Sequence, residues 1–91
     1  PGRLFTLAGA GIGPDEAQVA QADESGRLPR RLGGVEVLVN GEPVPLLYAG
    51  REQVNAVAPF ALSRGFAVVQ LRRNGETLGE QALPVAAASP R

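Results

Sequence analysis

The sequence predicts an all-β fold, a sandwich of short strands. Two observations carry that expectation. The pair Asn-Gly occurs twice, at Asn40-Gly41 and Asn74-Gly75, each time between runs rich in β-formers. Asn-Gly suits the type I′ turn, which needs positive φ at both central positions, so each pair marks a hairpin. The remaining chain is a series of short apolar runs cut by Gly and Pro, as sandwiches and barrels show. There is no internal repeat and no heptad, and no helix longer than a turn or two is expected.

The first expected strand runs from Arg3 to Gly9. Gly9, Gly11 and Gly13 follow at alternate positions, where glycine permits positive φ or a close backbone crossing. Pro14 then ends strand pairing. Ala17 to Ala22 reads as a short edge strand, and Asp15-Glu16 as the alternative start of one helical turn. Asp23 to Gly26 reads as a turn and Pro29-Arg30-Arg31 as an exposed bend.

Val35 to Val39 alternates cleanly into the first Asn-Gly pair. A two-residue turn there sets Val39 against Glu42, Val37 against Val44 and Val35 against Leu46, with Tyr48 next on the same face. Pro43 and Pro45 fall on the other phase and point to a sheet edge, because proline has no N–H for the ladder. Gln53 to Pro59 is a further strand, and Pro59 to Gly65 a loop.

Phe66 to Arg73 leads into the second Asn-Gly pair, and Glu76 to Val85 returns. A plain two-residue turn pairs Leu71 with Leu78 but leaves Val69 against Glu80. One extra residue restores the apolar pairing, setting Val69 near Gln81 and Ala67 near Leu83. A β-bulge is therefore expected at Gly79-Glu80. Ala86 to Pro90 reads as a strand end running into a linker.

At 91 residues the chain makes one domain with one thin core. Nine arginines balance nine acidic residues, and lysine is absent. A neutral chain without a basic stripe argues against a nucleic-acid binder and gives no pull toward anionic membranes. No run approaches the roughly 18 apolar residues of a membrane span. With no Cys, packing or neighbouring domains must hold the fold. A chain that has no Met and starts at Pro1-Gly2, with no signal peptide, is expected to be a piece of a longer protein.

The side chains of most catalytic machinery are missing. Without His or Cys there is no common zinc, haem or iron–sulfur ligand set, no Ser-His-Asp triad and no Cys-His dyad. Without Lys there is no Schiff-base chemistry. Asp15-Glu16 and Asp23-Glu24 are the carboxylate pairs that glycoside hydrolysis or Ca²⁺ would need, but both lie in turn-like segments without calcium-loop spacing. Solvated loops are the expected reading. Gly9 to Gly13 resembles half of a phosphate-binding glycine loop, yet no βαβ unit follows, so a crossover is expected.

The aromatics are Phe5, Tyr48, Phe60 and Phe66. So few are expected in the core rather than on a stacking platform, with the Tyr48 hydroxyl bonded to a backbone group. Asn55 stands alone among apolar neighbours. It reads as a buried amide tying down a loop, and alternatively as a contact to a partner domain.

Positions 1–14, PGRLFTLAGAGIGP, resemble the opening of a bacterial domain family named for Solibacter proteins. The resemblance continues through 26–48, through 51–60 with REQVNAVAPF, through the second Asn-Gly hairpin and to the closing PVAAASP. It spans essentially the whole chain. That family sits near the C-terminus of secreted and surface proteins and is similar to IPT/TIG domains. The resemblance thus implies an immunoglobulin-like (early-set) sandwich of about seven short strands over residues 1–91. It implies no enzymatic activity and no cofactor, and it carries over no catalytic, cofactor-binding or metal site. Family members have a further apolar segment before the Pro-Gly and an aromatic stretch after the last Pro, so an outer strand is expected to be missing or supplied from elsewhere. An open edge of this kind invites strand addition.

The expected function is a non-catalytic structural or interaction module of a bacterial extracellular protein: a spacer, stalk or adhesion domain at the cell surface. Its expected partners are neighbouring domains or copies of itself, with neither nucleic acid nor membrane insertion. One alternative is a self-assembling subunit that pairs edge strands into a fibre or oligomer. Another is a carbohydrate-binding module, since shallow β faces bearing Asn, Gln and Tyr bind sugars.

Overall fold

A computed structural model describes residues 3–58 and 65–85. All regular structure in them is β, in eight strands. These are β1 (Arg3–Ala8), β2 (Gln18–Val19), β3 (Val35–Val39), β4 (Glu42–Pro43), β5 (Leu46–Ala49), β6 (Gln53–Ala58), β7 (Gly65–Arg73) and β8 (Glu76–Val85). They form two antiparallel sheets of four strands, ordered β1-β6-β5-β2 and β4-β3-β7-β8. Both sheets contribute to one core, which includes Val35, Val37 and Val39 of β3, Leu46 of β5, and Val54 and Ala56 of β6. The arrangement is consistent with a β-sandwich. The expected loop at 59–64 and the expected linker at 86–90 lie outside the described residues, and Gly65 already belongs to β7.

Both Asn-Gly pairs turn as their chemistry requires. Asn40 and Gly41 have φ of 52° and 86°, and Asn74 and Gly75 have φ of 53° and 86°. Two consecutive positive values are the type I′ signature, which matches the right-handed twist of the flanking strands. Asn40 adds a tie to the next strand: its side-chain Oδ1 accepts from Val68 N–H at 2.9 Å.

The first hairpin departs from expectation after four residues. Val39 pairs with Glu42, and Val44 N–H donates to the Val37 carbonyl, as the turn dictates. Val35 does not pair with Leu46, however. It pairs with Arg73 of β7, while Leu46 pairs with Ala56 in the other sheet. The switch comes at Pro45, where the chain leaves β3 and crosses the core: the Pro45 carbonyl accepts from Val57 N–H of β6 at 2.9 Å. Val44 and Leu46 are both fully buried along that crossing. Leu46 N–H finds the Pro29 carbonyl at 2.8 Å instead. The edge position expected from the prolines holds, because β4 ends the second sheet.

The bulge in β8 exists but sits one step earlier than expected. Leu71 pairs with Gly79 and Arg72 with Thr77, which makes Leu78 the extra residue. Pairing runs unbroken through Gly79 and Glu80. Beyond the bulge Val69 meets Gln81 and Ala67 meets Leu83, the register the apolar pattern demands. Placing the bulge at Leu78 turns that side chain toward solvent, where it is 46% exposed.

Positions 15–32 resolve the open reading. Gln18–Val19 is a two-residue edge strand on β5, shorter than the expected Ala17 to Ala22, and Asp15-Glu16 forms a bend and no helical turn. The Asp23 turn closes through Gly26 N–H to the Asp23 carbonyl. Arg30 bends as expected and its Nε donates to the Pro43 carbonyl.

Candidate interaction surface

Among the described residues no polar or charged side chain is buried, and no cluster of three or more His, Cys, Asp or Glu is present. Asp15 pairs loosely with Arg51 at 3.7 Å, and both side chains are mostly exposed. Asp23 serves its own turn. Its Oδ1 accepts from Arg27 N–H at 3.0 Å, Ser25 N–H at 2.9 Å and Ser25 Oγ–H at 2.8 Å. The Arg27 backbone N–H, followed by the Ser25 hydroxyl, holds its carboxyl below the ordinary range.

The glycine segment is a crossover. Gly11 has a positive φ of 68°, and the backbone at Gly13 lies directly against the Gly50 carbonyl. Ile12 between them drops into the core. A large apolar side chain isolated among glycines was the signal for this anchor.

Asn55 does not tie down a loop, and it is half-buried rather than buried. Its Oδ1 accepts from Thr6 Oγ1 at 3.1 Å and from Gln53 Nε2 at 3.0 Å. It stands directly across from Thr6 on one side and Tyr48 on the other. Strand alternation therefore gathers Thr6, Asn55 and Tyr48 in one row on the outer face of the first sheet. Tyr48 is half-buried, and its hydroxyl, expected on a backbone group, instead lies over Gly50, where a Cβ would meet it at 2.7 Å, and makes no hydrogen bond among the described residues. Phe5 packs on the core, while Phe60 and the Phe66 side chain lie outside the described residues.

The described residues also form recesses. A shallow groove of about 400 Å³ lies over Leu28, Pro45 and Val57, flanked by Arg27 and Arg30. A slot of about 290 Å³ opens between the end strands β1 and β8. Leu7, Ile12, Val69, Leu71 and Leu78 line it. No family model, curated protein or solved structure matches the chain. Leu7 and Val69 pack against the core at this slot yet remain part-exposed. Sequence reasoning did not find this slot, because it arises from two strands 70 residues apart in sequence ending their sheets side by side.

Proposed function

We propose that this chain is a non-catalytic immunoglobulin-like module of a bacterial extracellular protein, working as a structural or interaction domain. The observation that carries the reading is strand order. Immunoglobulin domains place strands B, E and D in one sheet and C, F and G in the other. Here β1, β6 and β5 share one sheet, and β3, β7 and β8 share the other. Taken in sequence, β1, β3, β5, β6, β7 and β8 fill the places of B to G, and β4 extends the second sheet beside β3 as a C′ strand does. The two-residue β2 has no counterpart. The place of strand A, beside β1, is unfilled among the described residues. The Trp and paired Cys of antibody domains are absent, so strand order alone supports the assignment.

The lack of His, Lys and Cys supports a non-catalytic role, and the even charge balance speaks against nucleic acid or an anionic membrane as partner. The extracellular placement and the relation to IPT/TIG and Solibacter-type domains rest on the sequence resemblance. Two measurements test the reading. Protease treatment of intact cells should release peptides cut at the exposed Arg27, Arg30 and Arg31, with no lysis needed. The purified chain should melt in one cooperative step that EDTA leaves unchanged and should turn over no ester, glycoside or peptide substrate. Peptides released only after lysis, or turnover that co-purifies with the chain, would overturn it.

A second reading, carbohydrate binding, draws on the Thr6, Asn55 and Tyr48 row. Asn55 Nδ2 and the Gln53 side-chain oxygen remain unengaged in the hydrogen bonds of that row. Binding on a glycan array that Tyr48→Ala abolishes is the result expected of it.

A further inference from the structure

The geometry points to β1 as a self-pairing edge: two copies of this chain join through antiparallel β1 strands into an isologous dimer with one continuous sheet. The inference rests on the module reading and names the partner of that module.

Among the described residues four strands end the two sheets: β1, β2, β4 and β8. Three of them are blunted in the ways that stop edge pairing. β2 and β4 have two residues each, and β4 carries Pro43 with Pro45 just beyond. β8 has a bulge at Leu78 and a proline at position 84. β1 has six residues, no proline, no bulge and no charge after Arg3. Its Leu4 is 58% exposed.

The hydrogen-bonding phase of β1 follows from one contact. Gly9 N–H donates to the Glu52 carbonyl. In an antiparallel ladder, bonded and non-bonded pairs alternate. Leu7, Phe5 and Arg3 are therefore bonded to β6, while Leu4, Thr6 and Ala8 turn their N–H and C=O groups to the edge away from β6, which no described residue covers.

A second β1 fits those groups in one best register. With Thr6 opposite Thr6 on the two-fold axis, Leu4 faces Ala8 and Ala8 faces Leu4. All three outward residues then form bonded pairs, each exchanging two backbone hydrogen bonds. Shifting the strands by two residues in either direction leaves Leu4 or Ala8 without a strand partner. The same register sets Phe5 opposite Leu7 of the second copy on the core-facing side, at the close spacing of a non-bonded pair. Those side chains cover the slot beside Leu7 and Val69 in each copy. Every contact is reciprocal, which is the condition for a closed two-fold pair.

The test uses the 91-residue chain, which has no cysteine of its own. Sedimentation or light scattering should show a monomer–dimer equilibrium. Paired residues in a bonded position lie about 5.5 Å apart at Cα, within disulfide reach. T6C should therefore oxidise to a covalent dimer, and L78C on β8 should not. T6K, which sets two like charges together on the axis, should be monomeric at low salt with an unchanged circular dichroism spectrum. If T6K loses its fold, the cross-link pattern decides. A wild-type chain that stays monomeric to about 1 mM overturns the proposal. So does a dimer that T6C fails to lock or that a folded T6K leaves intact. A folded monomer leaves the module reading standing, whereas a chain with no cooperative fold removes both.

Discussion

The Gly13 backbone lies so close to the Gly50 carbonyl that no Cβ fits between them. Gly13 has no positive φ, so its requirement for glycine is steric alone. The contact brings the glycine crossover against the turn between β5 and β6 and seats Ile12 in the core. Gly13→Ala must therefore shift backbone, not a flexible side chain. The expected cost is about 1–3 kcal/mol, read from chemical denaturation, with Gly11→Ala as a comparison that meets φ strain but no atoms.

Asn40 does two things that glycine would separate. It takes the left-handed conformation of the turn, and its side chain accepts from Val68 N–H. Asn40→Gly keeps the first and loses the second. A loss of about 0.5–1.5 kcal/mol is expected, the worth of one hydrogen bond. Gly41→Ala tests the complementary property, since a Cβ there meets nothing but sits at a φ of 86°. It should also destabilise, by about 1 kcal/mol.

Leu46 is the largest fully buried side chain among the described residues and lies on the segment that passes between sheets. Leu46→Ala should cost about 2–5 kcal/mol, enough to unfold much of a domain this small. Val19→Ala, at a position 72% exposed, should change stability by no more than about 0.5 kcal/mol. Thermal melts of the two variants side by side check the contrast.

The Asp23 turn should respond to acid. Its carboxyl titrates below the ordinary range because the folded turn donates hydrogen bonds to the charged form. A depressed folded value means the contribution is present above the unfolded value, about 4, and is lost as pH falls through the folded value. The Arg27 and Ser25 amide resonances should therefore shift in that acid window, and Asp23→Asn should remove the shift.

Much of the fold was legible in the sequence, for local reasons. Asn-Gly encodes its own dihedral angles, and the apolar phase of Ala67, Val69 and Leu71 against β8 required one extra residue. The bulge was misplaced because apolar phase sees only that a residue is extra, not which one. The pairing of Val35 with Leu46 failed for a different reason. Both residues are core-facing, so the pattern fits equally well whether they pair in one sheet or face each other across two. Pro45 has the same phase as Pro43, which still pairs with β3 as part of β4, so the edge signal alone does not mark the residue at which the chain crosses. The roles of Asn55 and Tyr48, and the slot between β1 and β8, depend on strands distant in sequence, and no local pattern contains them.

The sheet switch at Pro45 is what makes this a two-layer module rather than a single meander, and interproton contacts in solution test it directly. The account predicts cross-strand contacts between Leu46 and Ala56, between Tyr48 and Asn55, and between Val35 and Arg73. A continuous hairpin, with backbone contacts between Val35 and Leu46 and none between Leu46 and Ala56, would contradict it.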